Sequence, residues 1–108
     1  MTFVVVWEFE PRPEAAPEFE RAYGPEGVWT PFFRRAPDYL GTELLRDADA
    51  PSRYVTIDRW TSREAYDRFR VEHAAEYRAI DAACEGLTRH EALVGAFEVS
   101  DPASTSTG

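Results

Sequence analysis

One long amphipathic segment, residues 62–87, constrains the fold more than any other part of the chain. Ser62 precedes it as an N-cap, because its hydroxyl can accept a hydrogen bond from an unpaired first-turn N–H. A helix that buries a single face needs a sheet to lie on. Apolar and ring-bearing side chains recur along the segment at steps of three or four, the spacing of one helix face: Tyr66, Phe69, His73, Tyr77, Ile80, Cys84 and Leu87.

The length of this segment predicts a bend. A straight helix over residues 62–87 would be about 39 Å long at ~1.5 Å per residue, whereas a strand of eight residues spans only about 27 Å at ~3.3 Å per residue. The helix must therefore overrun the sheet or bend, and we predict a kink or break within residues 71–75, close to His73. A helix lifted off the sheet at that point would leave a cavity.

The remaining chain supplies the sheet. The order strand, helix, strand, strand, helix, strand predicts an α+β fold of the ferredoxin-like βαββαβ type, with a four-stranded antiparallel sheet. A chain of 108 residues suits one domain, residues 1–99, followed by a flexible polar tail over 100–108. The predicted strands cover residues 2–10, 39–47, 53–60 and 91–99, and two helical segments, 13–23 and 28–36, fill the first connection.

The open face of this sheet predicts self-association. Both helices cover one face, yet Val4 and Val6 on the first strand point away from Phe3, Val5 and Trp7. A second copy of the sheet would bury these apolar side chains. We therefore predict a homodimer that forms through the open sheet face and closes into a dimeric α/β barrel.

Composition excludes several partners. The formal charge of −8 disfavours nucleic acid and anionic membranes, and no run approaches the ~20 apolar residues of a membrane span. The single cysteine, Cys84, excludes an internal disulfide and, with no signal peptide recognised, predicts a cytoplasmic protein. The two histidines, His73 and His90, have no metal-ligand spacing, so we expect no metal site.

The run from Asp58 to Ala65, DRWTSREA, resembles a family motif. An acidic residue, any residue, Trp, then Ser and Ala, on a strand-to-helix turn in this topology, is similar to the antibiotic biosynthesis monooxygenase family of the dimeric α/β-barrel superfamily. The resemblance covers Phe3 to Val99. This chain has Phe69 where the family's first helix histidine would fall, and His73 lies about where a second histidine can occur.

The resemblance implies a cofactor-independent monooxygenase that acts on a flat aromatic or polyphenolic small molecule bound between sheet and helices. Neither metal nor flavin is required, because the ionised substrate is itself the reductant. One alternative is a non-catalytic, small-molecule-binding or stress-related protein with the same fold. A haem-degrading enzyme is a weaker alternative, since the first strand lacks the asparagine that this branch of the family uses.

The candidate catalytic residues are His73, Tyr77 and Trp60. An imidazole titrates near neutral pH, so His73 would accept the proton of a substrate phenol. Tyr77 would donate to the developing oxyanion, and Trp60 would stack on the ring. The same side chains also fit a purely structural role in the core, and both interpretations stay open here. The candidate substrate-binding residues are Trp7, Trp29, Phe33, Tyr66 and Phe69.

Overall fold

A computed structural model describes residues 2–100. The tail predicted for residues 100–108 lies, apart from Ser100, outside this range. Short 3₁₀ turns, Pro13–Ala15 and Glu85–Leu87, flank the helices. Within the described range the strands are β1 (Thr2–Pro11), β2 (Tyr39–Arg46), β3 (Tyr54–Trp60) and β4 (Thr88–Val99), and the α-helices are α1 (Ala16–Tyr23), α2 (Trp29–Phe33), α3 (Arg63–Glu72) and α4 (Ala74–Cys84).

The sheet confirms the predicted fold class. Its strand order is β2-β3-β1-β4, and every neighbouring pair is antiparallel. The two crossovers, each carrying two helices, return the chain to the same face of the sheet, as in a split βαβ arrangement. Strand β4 begins at Thr88 rather than at the predicted residue 91, because Pro11 of β1 pairs with Thr88 and the Arg12 N–H donates to the carbonyl of Leu87 at 2.9 Å.

An almost wholly aromatic core joins the helices to the sheet. Trp60, Phe19 and Val5 are the largest fully buried side chains. Phe9 of β1 packs on Phe19 and Tyr23 of α1, with ring centroids 5.3 and 4.8 Å apart. Strand alternation produces this arrangement, since Phe3, Val5 and Phe9 belong to the buried cluster while the intervening side chains face the other way.

The predicted break in the long helix is present. Helix α3 ends at Glu72, α4 begins at Ala74, and His73 between them has φ −117° and ψ 29°, outside the helical region. The Ser62 hydroxyl accepts from the N–H of Ala65, which confirms the predicted N-cap. The break lets two shorter helices follow the curved sheet, so the direction of α4 is set independently of α3.

A tight turn places α2 over the sheet. The chain leaves α1 at Gly24 and reaches α2 through Gly27, whose backbone lies so close to α1 that an added Cβ would sit 2.1 Å from the carbonyl oxygen of Ala22. A glycine is therefore required there. This close approach places Trp29 against Tyr23, with ring centroids 6.1 Å apart. Helix α2 therefore contributes an aromatic layer above the sheet.

The opposite face of the sheet is largely apolar and uncovered in the single chain. Cross-strand pairing places Phe97 next to Val4, and Leu45 next to Val55, on this face. The Phe97 side chain is 49% exposed and Leu45 is 44% exposed. Within the described residues, every helix is too short or too polar to span a bilayer.

Candidate active site

A cavity lies between the centre of the sheet and the helices α1, α2 and α4. Its volume, measured as the space open to the centre of a water molecule, is about 40 Å³. A single water needs roughly 10–15 Å³ on this measure, so the space holds a few waters and a ring would have to displace side chains. The lining residues are Trp7, Phe9, Tyr23, Trp29, Phe33, Thr42, Thr56, Asp58, Tyr77, Asp81 and Glu91.

The floor of the cavity carries a buried carboxylate, Asp58. Strand β3 alternates, so that Tyr54, Thr56, Asp58 and Trp60 are all buried on the helix side. The register pairs Asp58 with Thr42 on one side and with Val5 on the other. The Thr42 hydroxyl donates to Oδ1 of Asp58 at 2.6 Å.

Burial controls the acidity of this carboxyl group. Loss of water around Asp58 raises its pKa from the ordinary 3.8 to about 6, and the hydrogen bond from Thr42 opposes part of that rise. Within residues 2–100 no basic side chain forms an ion pair with it. A carboxyl with this pKa is mostly ionised at pH 7 yet binds a proton readily, which is what a general base needs.

A second hydroxyl extends this polar group toward the protein surface. The side chains of Tyr39 and Thr42 are hydrogen-bonded through their oxygens. Tyr39, Thr42 and Asp58 thus form a chain of hydrogen-bonding groups along one edge of the sheet. Such a chain fixes the orientation of the carboxyl and keeps the Thr42 proton directed at it.

Aromatic side chains form the roof. The ring of Tyr77 meets Trp29 edge to face, with centroids 5.2 Å apart, and Trp29 stacks on Phe33 at 5.7 Å. Burial raises the pKa of the Tyr77 hydroxyl, so it stays protonated and can act as a hydrogen-bond donor. Tyr77 also borders a groove on the outer surface of α3 and α4, where the Arg70 guanidinium lies 4.8 Å from its ring centroid. Tyr77 is therefore the wall between the cavity and the outside.

One donor at the roof lacks an acceptor. The indole nitrogen Nε1 of Trp29 is buried and, among the described residues, has no hydrogen-bond partner. An unpaired buried N–H costs roughly 1–3 kcal/mol. Because Trp29 lines the cavity, an oxygen atom of a bound molecule would satisfy this donor.

The structure brings half of the sequence-predicted residues to the cavity. Trp7, Trp29, Phe33 and Tyr77 line it. Trp60, Tyr66, Phe69 and His73 do not line it. Their assignment to function stays a prediction from the sequence, and their positions differ from those it assumed.

Trp60 is enclosed in the core. It is fully buried and contacts Phe33, Tyr39, Tyr66 and Phe69, with ring centroids between 5.3 and 5.7 Å away. Strand β3 ends at Trp60, two residues after Asp58 on the same face of the sheet, and helix α3 covers the Trp60 side chain. A ligand ring therefore has no free face of this indole to stack on, and the position fits the core role.

His73 lies on the outer side of the helix break. Its imidazole packs on Phe69 at 4.5 Å and meets Phe32 edge to face at 6.1 Å. It borders a polar surface groove together with Arg35 and Glu72 rather than the inner cavity. The predicted role as base assumed a cavity at the break itself, whereas the cavity lies under α4, farther along the chain.

Sequence reasoning missed Asp58 and Thr42 as site residues. A signal for Asp58 was available: it is the one charged residue on the buried parity of β3, and a buried polar group is more informative than an apolar one. The Thr42 contact had no such signal, because it depends on the pairing of strands 16 residues apart.

Metal binding finds no support at this site. Within the described residues, no three side chains of His, Cys, Asp or Glu converge in a way that could hold a metal ion. The cavity offers hydroxyl, carboxyl and indole groups instead, which suit the polar substituents of an organic ring.

Comparisons with known proteins agree with this architecture. SnoaB from Streptomyces nogalater, a cofactor-independent oxygenase, is 25% identical over 93% of this chain and 92% of its own, with a TM-score of 0.61. The protein Rv0793 from Mycobacterium tuberculosis is 29% identical over 95% of this chain and 99% of its own, with a TM-score of 0.67. A putative antibiotic biosynthesis monooxygenase from Nitrosomonas europaea is 15% identical, with coverages of 94% and 92% and a TM-score of 0.70.

Comparison with curated protein sequences returned no match. The sequence model of the antibiotic biosynthesis monooxygenase family matches residues 2–83, which include the helix-side face of β1, all of β3 and the cavity roof. The chain therefore belongs to the antibiotic biosynthesis monooxygenase family.

Proposed function

We propose that this protein is a cofactor-independent monooxygenase that acts on a flat aromatic or polyphenolic small molecule in the cavity between sheet and helices. The observation that carries the proposal is Asp58, a buried carboxyl with a raised pKa and no ion-pair partner, facing an aromatic cavity. The likeness of this chain to SnoaB, a cofactor-independent oxygenase 25% identical in sequence, supports the same reaction class.

In the first step, the carboxylate of Asp58 takes the proton of a substrate phenol. The hydroxyl of Thr42 holds Oδ1 in place at 2.6 Å and leaves the other oxygen to accept the proton. The negative charge moves from Asp58 to the ring, so the cavity gains no additional charge. Positioned proton transfer of this kind contributes roughly 10²–10⁴-fold to a rate.

In the second step, the electron-rich anion reacts with dioxygen. For an anthrone-like substrate, a CH₂ group becomes a carbonyl, and its four electrons reduce O₂. One oxygen atom stays in the new carbonyl, and the other leaves as water after taking the two hydrogens. The N–H of Trp29 and the hydroxyl of Tyr77 are the donors available for the negative charge on the substrate oxygen.

The surrounding rings exclude water and orient the substrate. Trp7, Phe33 and Trp29 supply flat apolar walls. Because the cavity admits only a few waters, binding of a ring requires a wall to move, and Tyr77 has the outer groove on its far side into which it can turn.

We further propose that the functional unit is a cytoplasmic homodimer. The exposed apolar residues of the open sheet face include Leu45, Phe97 and Val99, which are each more than two-fifths exposed in the single chain. Sheet-to-sheet packing of two copies would remove them from water, and it would leave the cavity on the opposite face accessible.

One observation favours a second candidate function, capture of a small molecule without reaction. The cavity volume of about 40 Å³ is well below the size of a polycyclic substrate. In that alternative the protein binds a single-ring phenol, for which fewer side chains have to move than for a polycyclic ring, and it consumes no oxygen.

Oxygen uptake tests the proposal. Chelator-treated protein is mixed with a panel of anthrone-like and catechol-like phenols in an oxygen electrode, and the product is analysed after reaction in ¹⁸O₂. We expect uptake with at least one phenol and one labelled oxygen atom per product. Asp58→Asn should lower kcat by about 10²–10⁴-fold. Phenol binding with no oxygen uptake would support the capture alternative and refute the monooxygenase.

His73→Gln is the matched control, because it alters the other candidate base without touching the cavity. We expect it to keep full activity. Loss of activity in His73→Gln, with Asp58→Asn fully active, would return the role of base to the histidine.

A further inference from the structure

The lining of the cavity carries two acidic side chains that no described basic residue neutralises. Asp81 of α4 and Glu91 of β4 line the same space as Asp58. Glu91 reaches it because β4 pairs Glu91 with Phe9 on the helix side of the sheet. No lysine, arginine or histidine is among the residues that line the cavity. Within the part of the chain that the structure describes, the two carboxylates therefore line the cavity with no cation opposite them.

Some carboxylates elsewhere in the chain have a guanidinium group beside them. Glu8 lies 2.8 Å from Arg53, and Glu76 lies 2.7 Å from Arg35. Among residues 2–100, Asp81 and Glu91 take part in no salt bridge. Burial raises the pKa of Glu91, and the neighbouring charge of Asp81 raises it further. A positive charge placed between them would remove this repulsion.

Two independent features of the same cavity point to a ligand. The N–H of Trp29, in a side chain that is 9% exposed, is buried and has no acceptor among the described residues. The walls present the rings of Trp7, Phe33 and Tyr77, and an organic cation is attracted to such rings by their quadrupole. The cavity thus offers a donor for an oxygen atom at its roof and an anionic, aromatic setting for a cation.

The chemistry of the site selects an organic cation over a metal ion. A metal would need several ligands at short range, and within the described residues no cluster of three acidic, histidine or cysteine side chains could hold one. An ammonium group needs only one or two carboxylates and tolerates aromatic neighbours.

We propose that the cavity recognises phenols that carry a positively charged amino group, with the ring between the aromatic walls and the ammonium at Asp81 and Glu91. This inference rests on the proposed function, since it names the substrate class of the same site. The ammonium would also offset the negative charge that forms on the ring when Asp58 takes the phenol proton.

Calorimetric binding to three phenols of similar shape tests the inference. The probes are tyramine, which is cationic, 4-ethylphenol, which is neutral, and 3-(4-hydroxyphenyl)propanoate, which is anionic. We expect tyramine to bind about ten-fold or more tightly than 4-ethylphenol, and the anion to bind most weakly. The advantage of tyramine should shrink as salt is added. Equal affinity for tyramine and 4-ethylphenol, or no binding of tyramine, would overturn the inference.

The double variant Asp81→Asn/Glu91→Gln should lose the preference for tyramine and keep its affinity for 4-ethylphenol. The control is Glu14→Gln/Glu18→Gln, which removes the same total charge from exposed positions near the start of α1, outside the cavity lining. A preference that both double variants reduce equally would mean that net charge, rather than the cavity, attracts the amine, and would refute the inference.

Failure here and failure of the proposed function are distinguishable. Oxygen uptake with a neutral phenol and no preference for amines would leave the monooxygenase standing and reject the amine. Tight binding of tyramine with no oxygen uptake from any phenol would support the amine site and reject the oxygenase.

Discussion

Replacing the buried carboxyl should stabilise the protein, with a defined dependence on pH. The pKa of Asp58 is raised to about 6 from an ordinary 3.8. At pH values between these two, the folded chain therefore holds a proton that the unfolded chain has released. Below about pH 3, both states are protonated and the group costs nothing. As pH rises from about 3 to about 6, the unfolded state loses its proton first, so the free energy of unfolding falls.

The magnitude follows from the shift. About two pKa units at ~1.36 kcal/mol each correspond to about 3 kcal/mol, all of it lost by pH 7. Asp58→Asn removes the ionisation and keeps an oxygen to accept from Thr42. We therefore expect the variant to exceed the parent's free energy of unfolding by about 3 kcal/mol at pH 7, while the two are nearly equal at about pH 3.

Urea unfolding at a series of pH values and one fixed protein concentration measures this difference. Asp49→Asn in the exposed β2–β3 hairpin serves as control and should change stability by less than about 0.5 kcal/mol at any pH. A stability difference between Asp58→Asn and the parent that does not vary with pH would refute the assignment of a raised pKa to Asp58. A stability of Asp58→Asn relative to the parent that falls between about pH 3 and pH 7 would also refute the assignment.

Three further predictions test the surface, the core and the sequence-derived base. Phe97→Glu should convert the proposed dimer to a monomer in light scattering, whereas Val71→Glu, at a 78% exposed apolar position on the outer side of α3, should not. Trp60→Phe should cost about 2 kcal/mol of unfolding free energy and leave activity per folded molecule unchanged, since the indole N–H has no partner to lose among residues 2–100. His73→Gln should leave the pH dependence of oxygen uptake unaltered, and a shifted profile would restore His73 as the base.

The fold could be predicted because its signals are local and consistent. Apolar residues at every second position predict the strands, and apolar residues at steps of three or four predict the helices. The Ser62 cap marks the start of α3. The mismatch between helix length and strand length predicts the break, which the structure places at His73. Each of these inferences uses neighbours within one element, where sequence spacing translates directly into geometry.

The site could be predicted only in part, because it depends on how elements meet. A stripe of residues treated as one straight helix puts His73 and Tyr77 on a common face. The break reorients α4, so Tyr77 reaches the cavity while His73 stays beside Phe69 on the outer side. The floor depends on strand register, which brings Thr42 to Asp58 from a distant part of the chain. Helix periodicity carries no information about either relation.

The pH dependence of oxygen consumption, measured as kcat/KM for the parent and for Thr42→Val, tests the role of Asp58 most directly. The parent should lose activity below about pH 6, as the carboxylate is protonated. Removing the 2.6 Å hydrogen bond, worth roughly 1.5–3 kcal/mol to a charged acceptor, should move this acid limb upward by about one to two pH units. An acid limb at the same pH in both proteins would contradict the assignment of Asp58 as the proton acceptor.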